Sequence, residues 1–350
     1  DPAKREAALM ALMPRAITYA RHVAPGWAQQ LAGIEANAIT TRAALATLPV
    51  LRKGTLKELQ TAAPPFGGFA SAEPQAVARI FSSPGPIYEP EGDAGDYWRT
   101  ARALHAAGFR AGELAHNAFS YHMTPGAFIV EAGALALGCT VFPAGTGQTE
   151  QQLQAIAELR PDGYLGTPSF LRILIEKAQE SGADIRSLRK AVVSGEACPP
   201  SLRDWFAQHG VAACQTYATA DCGLIAYETT AREGLVLDEG VILEIVRPGT
   251  GDPLPEGEVG ELVPRHPSGA GSKTPLVLLM YHFFYDQIIE TAGQTSTSTC
   301  RGRRRPRCGR RRKSAQRHAW NQSLHQRLSP NAKREKPFGV QPACDRPGQP

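Results

Sequence analysis

Between residues 96 and 208 the chain alternates, without interruption, between helical periodicity and short apolar runs. Residues 96–107 read as a helix, 114–119 as a strand, 125–137 as a helix, 139–142 as a strand and 150–159 as a helix. The pattern continues with a strand at 163–166, a helix at 168–181, a strand at 190–194 and a helix at 199–208. Such an order predicts an α/β fold with a doubly wound, mostly parallel sheet covered on both faces. Runs such as Ala191-Val192-Val193 suit strands buried on both sides. Ligands of such sheets gather beyond the carboxyl ends of the strands, here the loops at 143–149, 166–169, 194–199 and 217–223.

Flanking segments read differently. Residues 3–22 carry Ala, Leu and Met at helical spacing, with Pro14 expected to kink or divide the helix; a short helix follows at 41–48 and a Pro/Gly loop at 63–68. After residue 226 alternation at 241–245 and 258–263, with turns at 249–251 and 255–257, predicts a small antiparallel segment. The expected organisation is an N-terminal helical segment (1–75), a doubly wound region (76–225), a β-hairpin subdomain (226–263) and an atypical, largely disordered tail (264–350).

Charge divides along the same line. Residues 296–350 hold 15 Lys and Arg against 2 Asp and Glu, leaving 23 against 31 in residues 1–295, so the body is mildly acidic and the tail strongly basic. The body thus offers no nucleic-acid surface by composition, and any such partner has to be met by the tail. Three readings of the tail stand: a basic arm, an ordinary solvated tail, or translation in a shifted frame. The seven cysteines lack CxxC or zinc spacing, which points to a reducing, cytoplasmic setting. The chain opens at Asp1, like a fragment boundary, and shows no secretory signal. Its most apolar stretches, 127–137 and 275–289, fall short of the roughly 20 residues a membrane helix needs. Composition leaves the oligomeric state open.

Two loops carry the chemistry. Ser194-Gly195-Glu196-Ala197 follows a buried strand, where a glycine admits a flat ligand to the backbone and Glu196 can orient polar groups; it also reads as a plain strand-to-helix turn. The stretch 215–221 sets an aromatic ring, hydroxyls and a carboxylate side by side, as needed to stack a base, touch a phosphate and hold Mg²⁺. It also reads as a polar loop with a surface Asp.

Taken in order, GYLGTPSF at 163–170, SGEA at 194–197, TYATAD at 216–221 and GTGDPLPEGEVGELV at 249–263 resemble the phenylacetate–CoA ligase branch of the AMP-forming acyl-adenylate synthetases. The similarity covers roughly residues 1–263 and includes the early Leu48-Pro49-Val50 and Arg52-Lys53 segment. It implies activation of a carboxylic acid by ATP to an acyl-adenylate, then transfer to coenzyme A, with Mg²⁺ assisting. By that resemblance Gly195 and Glu196 border the adenine, Tyr217 stacks on it, Thr219 and Ala220 face the phosphates, and Asp221 stands at the metal position. Phe119, Tyr121 and His122 resemble the wall of the acid pocket, a buried aromatic core being the other reading of Phe119. The resemblance leaves the acid unspecified and assigns no catalytic residue.

The phosphate loop of the family corresponds to residues 81–89, where Ser82, Ser83 and Gly85 fit the binding role. Pro84 and Pro86 each delete an N–H donor, no Lys follows, and Glu89 and Glu91 are expected to repel a triphosphate. No counterpart of the family's ribose-binding Asp or of its C-terminal lid is visible in residues 264–350. Two readings therefore remain: a truncated, impaired ligase, or a non-catalytic nucleotide- and acyl-binding remnant.

Overall fold

Asp1 accepts the first free N–H groups of helix α1 (Pro2–Val23), whose apolar positions Leu9, Met13, Ile17 and Ala20 repeat along one buried face. Pro14 is accommodated inside this one helix. The computed structural model describes residues 1–267 and the backbone of one later strand. The expectations for the tail, the ribose-binding Asp and the lid lie, from residue 268 onward, outside the described residues.

Along the chain α1 is followed by α2 (Pro25–Gln30), α3 (Arg42–Leu45), β1 (Leu51–Arg52), α4 (Lys53–Ala62), β2 (Arg79–Ser83) and β3 (Ile87–Glu91). Then come α5 (Ala101–Ala106), β4 (Leu114–Asn117), α6 (Gly126–Ala136), β5 (Thr140–Pro143), α7 (Thr149–Leu159), β6 (Gly163–Gly166) and α8 (Pro168–Ser181). The series closes with β7 (Lys190–Val193), α9 (Pro200–Gln208), β8 (Ala212–Thr219), β9 (Gly223–Glu228), β10 (Leu235–Leu237), β11 (Ile242–Val246), β12 (Glu261–Arg265) and β13 (Leu279–Met280).

The central sheet has the order β10-β9-β8-β7-β6-β4-β5. Strands β5, β4, β6, β7 and β8 run parallel, while β9 and β10 extend the sheet antiparallel. Successive strand residues serve opposite layers, as the two-residue period demands. Tyr164, Ala191, Val193 and Ala213 meet α7, α8 and α9 through Ile156, Leu171, Leu174, Ile175 and Phe206. Leu165, Val192 and Cys214 face the other way, onto Leu104 of α5 and Val130 and Ala134 of α6.

Helix α8 shows why the sequence pattern was readable. Its N-cap Thr167 accepts from Phe170 N–H, Pro168 occupies the first turn, and Gly182 ends it in the left-handed region at φ +74°. Between them Leu171, Leu174, Ile175 and Ala178 supply the buried stripe.

The N-terminal helices share one core with the antiparallel end of the sheet and with β11 and β12: Met13, Ile17, Trp27 and Leu45 join Ile225, Leu235, Leu243 and Leu262. The two-stranded β11–β12 sheet and the β2–β3 hairpin flank this core. Helix α5 starts later than its periodicity suggested. Arg99 adopts φ +63° and turns its guanidinium inward, while Asp96 accepts from Thr100 N–H and Ala101 N–H to start the helix after it. The segment 215–221, read as a loop, is largely strand. Its residues through Thr219 belong to β8, whose pairing with β9 shifts register at Tyr217/Ala218 and resumes at Ala218 and Thr219 before the turn at Ala220 and Asp221.

Candidate functional site

The carboxyl ends of β4, β6, β7 and β8 lie along one edge of the sheet because these strands are parallel. Three of the loops singled out in the sequence, 166–169, 194–199 and 217–223, therefore lie along that edge, and the fourth, 143–149, follows the parallel strand β5. Gly195, at φ +82°, turns the chain sharply after β7. Ser194 Oγ donates to Thr216 O at 2.8 Å, which ties this turn to β8. Glu196 accepts from Ser169 Oγ at 2.9 Å and from Ser169 N–H at 3.3 Å, so the first turn of α8 orients it.

Trp98 Nε1 donates to Ala220 O at 2.9 Å and Cys222 N–H donates to Thr219 Oγ1 at 3.2 Å, fixing the turn that carries Asp221. Behind the turn one guanidinium does most of the holding. Arg99 donates to Cys222 O at 2.6 Å, Leu224 O at 3.0 Å and Asp238 Oδ1 at 3.0 Å, and lies 3.2 Å from His266 Nε2. His266 Nδ1 is 2.7 Å from Gly240 O and donates to it, which leaves Nε2 to accept from Arg99. Burial, and then the Arg99 charge, push His266 down to about 4.

The segment read as a phosphate-loop counterpart forms the β2–β3 hairpin, with Ser83 opposite Ile87 and the turn 84–86 exposed. Ser82 N–H donates to Met123 O at 2.8 Å, which brings the hairpin to the segment after β4. A cation lies beside each of the two acidic residues of this stretch. The sequence after the hairpin offers no Lys, yet Lys53, from the start of α4, places Nζ 2.8 Å from Glu89 Oε1 and 3.1 Å from Asp221 Oδ2. Glu89 is therefore neutralised in part, and Glu91 is paired with Arg79 at 2.9 Å. Ser83 Oγ also donates to Glu89.

Burial and the Asp221 charge push Glu89 up to about 7, against the pull of Lys53 and Ser83 toward the ionised form. For Lys53 burial acts downward and is outweighed by the Asp221 and Glu89 carboxylates, so the ammonium is held above the ordinary lysine range. Lys53 is the candidate residue that motif reading left without a role. Its signal was the Arg52-Lys53 pair, but nothing local shows that α4 points its first residue at Asp221.

The residues read from the sequence as an acid-pocket wall come together less fully. Tyr121 packs edge-on against Phe128 with ring centroids 5.2 Å apart, donates to Glu131 Oε2 at 2.5 Å and accepts from Asn117 Nδ2 at 2.9 Å. Burial, then Glu131, hold this phenol well above its usual range. Phe119 is half-buried against the Leu104 and Val130 core. His122 is exposed. Tyr217 is buried at 7% exposure within the core that contains Ile225 and Leu235. Gly85 sits in the exposed hairpin turn.

Residues 99–272 match the AMP-binding enzyme family. Phenylacetate-coenzyme A ligases align over a longer stretch. That of Aromatoleum evansii is 32% identical over 246 residues, 66% of this chain and 54% of the relative. That of Thermus thermophilus is 31% identical over 267 residues, 72% and 59%. The chain is a phenylacetate–CoA ligase-like member of the AMP-binding family.

This family member spans between half and three-fifths of the length of those relatives. Its fold is that of a solved 2-hydroxyisobutyryl-CoA ligase, described in an open conformation with 2-HIB-AMP and CoA, with TM-score 0.73 and 24% identity over 80% of this chain and 64% of that one. Lys53, Ser83 and Glu89 lie outside the segment that matches the AMP-binding family. No helix among the described residues is long and apolar enough to cross a membrane.

Proposed function

We propose that this chain serves an AMP-forming aryl- or acyl-CoA ligase reaction. A carboxylate oxygen of the acid attacks the α-phosphorus of ATP and expels pyrophosphate. The thiol of coenzyme A then attacks the acyl carbonyl and AMP leaves. The observation that carries the reading is the convergence of the Ser194–Glu196 turn, the Asp221 turn and the β2–β3 hairpin on one sheet edge, joined there by Lys53.

In this reading the left-handed Gly195 admits the adenine to the backbone, Glu196 orients it and Tyr217 borders it. Thr219, Ala220 and the hairpin residues Ser82, Ser83 and Gly85 face the phosphates, and Lys53 supplies positive charge. Phe119, Tyr121 and His122 belong to the acid side. Tyr121 acts through its ring there, since its hydroxyl is held by Glu131 and Asn117. Residue 221 offers Mg²⁺ a single oxygen ligand. No group of three or more His, Cys, Asp or Glu that could hold a metal occurs among the described residues. Phosphate oxygens and water would complete the shell, as suits a cation that keeps much of its hydration. When bound, the ion offsets charge on the phosphates. A cytoplasmic setting fits the relatives and the reduced cysteines Cys139, Cys198, Cys214 and Cys222.

Phenylacetate-dependent exchange of labelled pyrophosphate into ATP tests the first half-reaction, and exchange above the acid-free rate is the expected result. The second reading, a non-catalytic nucleotide- and acyl-binding remnant, is favoured by Pro84 and Pro86, and predicts AMP binding with no exchange.

A further inference from the structure

Two of the three residues in the β2–β3 turn, Pro84 and Pro86, have no N–H to offer an anion. Behind that turn sits the carboxylate of Glu89, its side chain 4% exposed. Lys53 is shared between Glu89 and Asp221, so two carboxylates meet one ammonium at this end of the site. A cradle of N–H groups attracts a ligand more strongly as its negative charge grows. A buried carboxylate does the opposite, and low surrounding polarity enlarges the effect.

We propose that Glu89 is a specificity-determining residue that makes the phosphate end of this site charge-selective: AMP and an acyl-adenylate enter without metal, whereas the triphosphate enters only with its charge offset by a divalent cation. The proposal rests on the nucleotide-binding reading above. Free ATP carries more charge than AMP, and an acyl-adenylate, with its phosphate esterified on both sides, carries less than either. Lys53 can offset one unit of charge, and it is already drawn toward Glu89 and Asp221. Each further phosphate brings charge that this cluster does not balance. Asp221 alone cannot set this selectivity, because a carboxylate at that position is part of the metal-assisted arrangement. Glu89 is the additional charge, delivered by a hairpin outside the family match.

The test is isothermal titration of the full chain with AMP, ADP and ATP, first in EDTA and then in magnesium chloride, at about pH 8 so that the Glu89 carboxylate is ionised. In EDTA the affinity is expected to fall from AMP to ATP by about tenfold or more, and magnesium is expected to restore ATP binding. Glu89→Gln keeps the side-chain shape and should reduce the AMP-to-ATP ratio in EDTA to about threefold or less. Retained AMP binding shows that the variant is folded, and Glu89→Asp, which keeps the charge, should keep the native ratio. The native series stands independently of any variant. Metal-free ATP binding as tight as AMP, or a ratio unchanged in a folded Glu89→Gln, overturns the proposal and leaves the nucleotide-binding reading in place. Binding of none of the three nucleotides overturns both.

Discussion

Lys53 and Asp221, 168 positions apart in sequence, form an ion pair of 3.1 Å that joins the first residue of α4 to the turn after β8. The contact draws the N-terminal helical region into the same site as the sheet edge. It also sets Glu89 and Asp221 around one shared cation, which turns three separate sequence features into one electrostatic unit. Removing either partner therefore alters the charge felt by a phosphate, as well as a local contact.

Asp221→Ala removes one of the carboxylates paired with Lys53 and the oxygen ligand assigned to Mg²⁺. Affinity for ATP·Mg²⁺ is expected to fall about tenfold or more, with a smaller effect on metal-free AMP. Titration of both ligands checks this, and an unchanged ATP·Mg²⁺ affinity removes Asp221 from the site.

Gly223 holds the other end of the same turn. Its φ is +72°, and a Cβ there would lie 2.8 Å from Trp98 O, which accepts from Leu224 N–H. Gly223→Ala combines backbone strain with a clash against main chain, and should lower unfolding stability by about 1–3 kcal/mol. Urea denaturation measures the loss, and a stability equal to the native chain's would contradict the close approach.

How legible these arrangements were in the sequence depended on the range of the forces that set them. Helix α8 and strand β6 were readable because their caps and apolar periods lie within the segments themselves. Segment 215–221 misled, because a polar composition conceals a strand that Gln215 N–H anchors to Glu228 of the neighbouring strand β9. The start of α5 was missed for a similar reason: Arg99 turns left-handed to reach Cys222, Leu224, Asp238 and His266, all more than 120 positions away. Motif order singled out Gly195, Glu196 and Asp221, which follow the carboxyl ends of β7 and β8. Nothing in the text of residues 81–89 could show that a lysine from residue 53 compensates Glu89.

His266 gives a pH dependence of defined sign. Burial depresses its pKa from the ordinary 6.5 to about 4, so below pH 6.5 the unfolded chain takes up a proton that the folded chain refuses. The stabilisation is thus present above about pH 6.5 and is lost as pH falls toward 4, amounting to about 3 kcal/mol from this residue. Arg99 and Asp238 are the charged groups facing the ring. His266→Asn should flatten the acid limb of a stability–pH curve by that order. An identical limb in the variant would contradict the buried neutral imidazole.

Tyr217 separates a ring contact from a hydroxyl contact. If its ring borders the adenine, Tyr217→Phe should bind AMP like the native chain while Tyr217→Ala loses about 1–3 kcal/mol. Because Tyr217 also belongs to a buried core, the Ala variant needs a stability measurement beside the titration. Equal AMP affinity in a folded Ala variant assigns the ring to the core alone.

In the proposed function one sheet edge binds both a nucleotide and a carboxylic acid for adenylate chemistry. Isothermal titration of the purified chain with ATP·Mg²⁺, with and without phenylacetate, measures this. Binding is expected to tighten when the acid is present. No binding of ATP·Mg²⁺ in either condition would overturn the shared nucleotide and acid site.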